Sequence, residues 1–304
     1  MHETTEGEDD MSDAIHGLWV ALATPLSADG SVDHAALVRH ADHLTEAGCD
    51  GFVPFGTTGE GTSFSAGERL AAVEAMLAGG IDAARIALGT GCPAITDTIA
   101  LTRSALGLGL HHVLVLPPYY YRDVDAQGIE DAFAAILDGV GDARLRATLY
   151  NIPQVSGVPV PPQVAANLRR RFGRSVAGVK DSTGVFENFR AFRAAAPELA
   201  IVVGYEADIG RALAEGGAGT ICGMANVVPQ LVRAMFTDAD ALGPMQSVLA
   251  LMQGPFMPTL KSVIAAQTGE AGWSRVRPPL RAVDAAIGQR IAAAMAGVAA
   301  AKAA

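Results

Sequence analysis

Lysine is scarce in this chain. Only Lys180, Lys261 and Lys302 supply it among 22 basic residues, against 32 acidic ones, for a net charge of −10. Such a balance, with no basic stripe, repels phosphate backbones and argues against nucleic-acid binding. Cysteine is scarce too. Cys49, Cys92 and Cys222 are odd in number, scattered, and form no CxxC pair. They give no disulfide framework and no cysteine metal site, and they fit a reducing cytoplasm. His111 and His112 are adjacent, so on a strand they would face opposite ways and make a poor metal pair. No apolar run approaches the length of a membrane span. The first residues, MHETTEGEDDMSD, are acidic and polar, the opposite of a secretory signal. Residues 1–15 therefore read as a disordered leader. No glycine-rich dinucleotide fingerprint follows the first apolar run.

What the chain does have is 304 residues, half of them apolar, enough for one large core. Short apolar runs alternate with longer amphipathic ones. Strands are expected at 18–23, 51–55, 86–89, 112–116, 147–151, 176–180, 200–204 and 219–222. Helical patterns lie between them, several with boundary signals. Asp33 precedes the first helix and Gly48 closes it, while Ser65 with Glu68 makes a capping box for the second. Eight short strands, apolar throughout and separated by helices, predict an α/β fold, a (β/α)₈ TIM barrel. A doubly wound open sheet is the alternative. The barrel would occupy residues 16–226. Residues 227–304 read as a C-terminal helical extension packed on it, its last helix spanning 280–300.

In such a barrel, chemistry gathers where strands end at the C-terminal face. The unusual polar residues collect there: PFGTTGEGTSF, PPYYYR, YNIPQVSG, VKDSTG, GYEAD and CGMAN. Lys180 ends an apolar strand. An ammonium there either reaches solvent or a carboxylate, or serves as an amine nucleophile. Strand alternation points the neighbouring Asp181 the other way. Tyr150 ends another strand, as a proton carrier or as a core tyrosine with its hydroxyl on a backbone carbonyl. Gly56, Thr57, Thr58 and Gly59 offer hydroxyls and backbone amides near a helix start, suited to a carboxylate or needed only for a turn. Tyr119, Tyr120 and Tyr121 cannot all face one core, so some face a site or a partner. A lysine amine, hydroxyl proton carriers and a carboxylate cradle together suit imine formation with a 2-oxo acid, after which the C3–C4 bond breaks or forms through an enamine. That chemistry needs no metal and no cofactor beyond the covalent imine on Lys180.

With these motifs in place, the sequence resembles the dihydrodipicolinate synthase/N-acetylneuraminate lyase family of class I aldolases. The resemblance rests on GTTGE at 56–60, PYY at 118–120, YNIP at 150–153, GVK at 178–180, GGAG at 216–219 and AN at 225–226. It implies Lys180 as the Schiff-base lysine and Tyr150 as proton donor and acceptor. Thr57 and Tyr120 would complete the relay, Tyr120 reaching into a neighbouring subunit's site. Thr57 and Thr58 would hold the pyruvyl carboxylate. It further implies a homotetramer, a dimer of dimers, acting on a small 2-oxo acid and an aldehyde, within the cytoplasm that the cysteines suggest. The synthases place a carboxylate-binding arginine where this chain has Val155. The segment YNIPQVSGV and the GYE of Gly204, Tyr205 and Glu206 are similar to sialic acid lyases. KDSTG, PPYYYR and GPFMPTLK look closer to 2-keto-3-deoxy-sugar-acid aldolases and dehydratases. Ser182, Gly204, Tyr205 and Glu206 are the candidates for contacting substrate hydroxyls.

Overall fold

A computed structural model describes residues 14–303, with side chains placed through residue 298. Eight strands run parallel: β1 (Gly17–Ala21), β2 (Gly51–Val53), β3 (Ala87–Gly89), β4 (His112–Val115), β5 (Arg146–Asn151), β6 (Val176–Asp181), β7 (Ala200–Val203) and β8 (Gly219–Cys222). Their order, β2-β1-β8-β7-β6-β5-β4-β3, is that of a ring opened between β2 and β3. A parallel bridge from Phe52 to Ile86 spans that gap. Gly89 N adds a hydrogen bond to the Pro54 carbonyl at 3.0 Å. The (β/α)₈ barrel is therefore nearly closed, and each expected strand lies within two residues of its place.

The strands carry no alternation of apolar and polar residues because both faces are covered. Trp19, Val53, Leu114, Tyr150, Val202 and Ile221 form one cluster inside the ring. Leu18, Phe52, Val113, Leu149, Val179 and Ile201 point outward, into a second cluster with helix residues such as Leu37, Val73, Phe133 and Phe189. This alternation sends every second residue of β5 and β6 to the barrel axis, which is how Tyr150 and Lys180 arrive there.

Local signals match the observed boundaries. Asp33 accepts a hydrogen bond from Ala36 N at 3.0 Å at the start of helix His34–Glu46. Ser65 and Glu68 form the reciprocal capping box of helix Ala66–Ala78. Gly48, at φ +87°, follows the end of the first helix, and Cys49 N returns to the Leu44 carbonyl. Two boundaries differ from expectation. The last helix, Ala285–Ala303, starts five residues late, because Pro278 and Pro279 precede it and Asp284 caps it through Ala286 N at 2.9 Å. At the other end, residues 1–13 of the expected leader lie outside the described residues. Ile15, counted with that leader, is instead buried among the residues lining the barrel interior, worth roughly 2 kcal/mol by transfer.

Beyond β8, helices Pro229–Ala234, Leu242–Leu251, Phe256–Thr268 and Ala285–Ala303 pack together. No single helix among the described residues is long and apolar enough to cross a membrane.

Candidate active site

The ends of β5 and β6 set the site. Tyr150 and Lys180 are register partners on these neighbouring strands. Both are buried, Lys180 at 4% exposure, and its Nζ lies 4.3 Å from the centre of the Tyr150 ring. The aromatic face is attractive to a cation and equally close to a neutral amine. The Tyr150 hydroxyl is 3.3 Å from Thr57 Oγ1, a contact that joins it to the loop after β2. Lys180, Tyr150 and Thr57 are thus one constellation.

Asp181 takes no part in it. Its side chain leaves the opposite face of β6 and accepts from Asn151 Nδ2 at 2.8 Å and Thr183 Oγ1 at 2.9 Å. Burial pushes its carboxyl above the usual range, and those two donors oppose the shift. Its work is to tie the top of β5 to the loop after β6.

The loop after β2 folds tightly. Thr58 is buried, and its Oγ1 sits close to Gly223 at the end of β8. The chain turns through a short 3₁₀ segment, Gly61–Ser63, before the helix at Ala66. The Thr57 and Thr58 hydroxyls are therefore set by a turn rather than by the helix end itself. Asn226 locks the top of β8 against β1: its Nδ2 donates to the Ala21 and Gly223 carbonyls, while its Oδ1 accepts from Ala23 N and His40 Nε2. Burial holds the His40 ring down to about 4, so it stays neutral in this role at ordinary pH.

The four weaker candidates divide. Gly204 lies directly against Lys180: a Cβ added there would sit 3.2 Å from Lys180 Cε and 1.9 Å from Ser182 Oγ. Ser182 and Gly204 thus flank the lysine stem. Tyr205 is partly exposed at the rim. Glu206 is buried, and its Oε1 accepts from Met224 N at 2.9 Å. Burial raises its pKa, opposed by that amide and by the Lys180 charge. A carboxyl so engaged braces the loop after β8.

Tyr120 is not brought to this chain's own site. Tyr120 and Tyr121 are 77% and 76% exposed, ring edge to ring face, while Tyr119 turns inward. Tyr119 lines a cleft of about 260 Å³ that reaches Thr57 and Tyr150. Leu114, Leu116, Ile152 and Val155 give this cleft a largely apolar wall. Lys180 is not among its lining residues.

Three charged groups around the site escaped the reading of the sequence. Arg69 is buried in the cleft wall, with Nε donating to the Phe64 carbonyl and Nη1 to the Gly89 carbonyl. Glu60 and Lys261 form a fully buried ion pair at 2.6 Å, 201 residues apart in sequence. Removing either partner alone would strand the other charge, at a cost of about 3–5 kcal/mol. The scarcity of lysine pointed to Lys180 and could have pointed equally to Lys261. Among the described residues, no group of three His, Cys, Asp or Glu side chains is placed to hold a metal ion.

Known proteins resemble this chain over most of its length. Residues 14–296 match the model of the dihydrodipicolinate synthetase family. An uncharacterized DapA-like lyase of Chloroflexus aurantiacus is 40% identical over 221 residues, covering 72% of this chain and 73% of that protein. A 4-hydroxy-tetrahydrodipicolinate synthase of Methylococcus capsulatus is 32% identical, over 75% of this chain and 76% of its own. The crystal structure of dihydrodipicolinate synthase from Agrobacterium tumefaciens superposes with a TM-score of 0.88 at 35% identity, over 93% of this chain and 99% of that one.

Proposed function

The chain belongs to the dihydrodipicolinate synthetase family, as an enzyme of the class I aldolase/lyase kind, and from that premise we propose that it cleaves or forms a C–C bond in a hydroxylated 2-oxo acid. The observation that carries this is the Lys180 amine over the Tyr150 ring, with the Tyr150 hydroxyl linked to Thr57. The Lys180 amine adds to the C2 ketone, with Thr57 and Thr58 holding the adjacent carboxylate. Tyr150, relayed by Thr57, gives a proton to the departing hydroxyl as the imine forms. The Tyr150 phenolate so formed takes the C4 hydroxyl proton as the C3–C4 electron pair moves into the protonated imine, releasing an aldehyde and leaving an enamine. Protonation at C3 and hydrolysis return pyruvate and the free amine. Every step uses groups of the protein and water, so the reading calls on no cofactor.

The preferred substrate class is a 2-keto-3-deoxy sugar acid. Val155 supports this against a substrate with a second carboxylate, since an isopropyl group makes no bidentate contact. It lies exposed on the cleft rim. Ser182 and Tyr205 would meet substrate hydroxyls from beside the lysine and from the rim, and Gly204 would leave room for them. The same imine also supports loss of water in place of C–C cleavage. Dihydrodipicolinate synthesis itself, the activity named for the Agrobacterium structure, ranks after these. A protein that only binds a 2-oxo acid ranks last, because Lys180 and Tyr150 are both present. Tyr120, exposed here, is proposed to complete the relay in a second copy's site, within a cytoplasmic homotetramer.

Product analysis with 2-keto-3-deoxy sugar acids tests the proposal. Pyruvate with an aldehyde supports the lyase, and a dehydrated oxo acid supports the dehydratase. Turnover only with pyruvate and an aldehyde that carries a second carboxylate would contradict both.

A further inference from the structure

The loop that carries Thr57 and Thr58 is held in an unfavourable backbone shape. Phe55 at φ 57° and Glu60 at φ 55° both occupy the left-handed region, one on each side of it. Neither is glycine, although Gly59 and Gly61 flank Glu60. Gly61 has its own reason to lack a side chain, since a Cβ there would sit 1.9 Å from the Phe55 carbonyl oxygen. A side chain kept at a position that glycine would occupy without strain needs a compensating contact.

The contact is the buried carboxylate. Glu60 Oε1 accepts from Lys261 Nζ at 2.6 Å, and Oε2 accepts from Arg277 N at 3.1 Å. Both donors come from the C-terminal segment, which supplies no residue to the imine chemistry. Glu60 N in turn donates to the Thr57 carbonyl at 3.1 Å, and Thr24 Oγ1 donates to the Gly59 carbonyl at 2.8 Å. A continuous series of bonds therefore runs from helix Phe256–Thr268 through the Glu60 side chain to Thr57. The same helix sets its first residue, Phe256, against Gly223, the glycine that also borders Thr58 Oγ1. Burial lowers the Lys261 pKa, and Glu60 beside it at 2.6 Å opposes that shift.

We propose that Glu60 and Lys261 are positioning residues that hold Thr57 and Thr58 in register with Lys180 for the carboxylate of a 2-oxo acid. This rests on the reading of those two threonines as the carboxylate cradle. An apolar pair of similar size could fill the same space, but it would exert no directional pull on the loop. A buried ion pair is often dispensable for stability when both members are replaced together, which separates the two roles.

The test is the double variant Glu60→Leu/Lys261→Met, beside Glu60→Gln, which strands the Lys261 charge. Wild type and variants are titrated with pyruvate under borohydride, and reduced adduct on Lys180 is measured by mass. Amide hydrogen exchange over residues 56–61 is followed on the same samples. The double variant is expected to melt close to wild type and to exchange faster at these amides. Its half-saturating pyruvate should rise about tenfold or more, as displaced positioning groups imply, with the adduct at saturation unchanged. Half-saturation or exchange equal to wild type in a folded double variant would overturn the proposal and leave the pair purely structural. If the wild-type protein itself traps no pyruvate, the reading of the site fails, and the positioning role with it.

Discussion

Placing a single methyl group at Gly204 probes how closely the site is packed around Lys180. The added Cβ would lie 1.9 Å from Ser182 Oγ, 2.9 Å from Ser182 Cβ and 3.2 Å from Lys180 Cε. Rotating the serine hydroxyl relieves only the first contact. The Cβ–Cβ clash is fixed by the backbone, which β6 and β7 hold in ladder register up to Asp181 and Val203. Gly204→Ala is thus an overpacking change, expected to destabilise by about 1–3 kcal/mol. For a chain of this size that is a fall in Tm of roughly 2–5 °C. The 3.2 Å contact also pushes the lysine stem. A shift of under an ångström at the nucleophile should slow adduct formation with pyruvate by about tenfold or more. Thermal melting and borohydride trapping measure the two effects on one preparation. Ser182→Gly, added to Gly204→Ala, removes both serine contacts and should recover most of the stability while the trapping rate stays low. A single variant that melts and traps like wild type would show that Lys180 and Ser182 do not enclose Gly204 as described.

Tyr150→Phe keeps the ring under Lys180 and removes the hydroxyl that meets Thr57 at 3.3 Å. Adduct formation should remain possible, with turnover lowered roughly 10²-fold, checked by steady-state kinetics. Acid stability should depend on Glu68, whose carboxyl is lowered from 4.5 to about 2, first by Arg277 at 2.5 Å. A depressed carboxylate adds stability above its unfolded pKa and loses it as pH falls, so this contribution fades between about pH 4.5 and 2. Because the pair is partly exposed, its worth is only about 1 kcal/mol. Melting curves of Glu68→Gln against wild type should therefore differ at pH 6 and converge near pH 2; a constant gap would refute the linkage.

The barrel was legible because each βαβ unit is encoded locally. Runs such as HVLV and AIVV, buried on both faces, stand out against amphipathic helices, and capping residues such as Ser65 mark where the helices start. Lys180 and Tyr150 were legible as polar residues ending apolar strands. The Glu60–Lys261 pair was not, because 201 residues separate its members and Lys261 sits in a helix of ordinary composition. Arg277 was equally hidden. It joins the Gly30 and Ser63 carbonyls to Glu68, and only the closed fold brings those three together. The late start of the final helix could have been read from Pro278, Pro279 and Asp284, but the apolar pattern from Leu280 onward dominated. Glu206 was read from the GYE motif as a contact for substrate hydroxyls, and the turn after β7 brings its carboxyl to the Met224 amide.

The central claim is that Lys180 is the amine that forms the imine. Incubating the protein with pyruvate and borohydride, followed by intact mass and peptide mapping, tests it most directly. The account requires a single reduced pyruvate adduct on the peptide carrying Lys180, absent from Lys180→Ala. A folded protein that forms no adduct with pyruvate or longer 2-oxo acids, or an adduct on Lys261 or Lys302 alone, would contradict it.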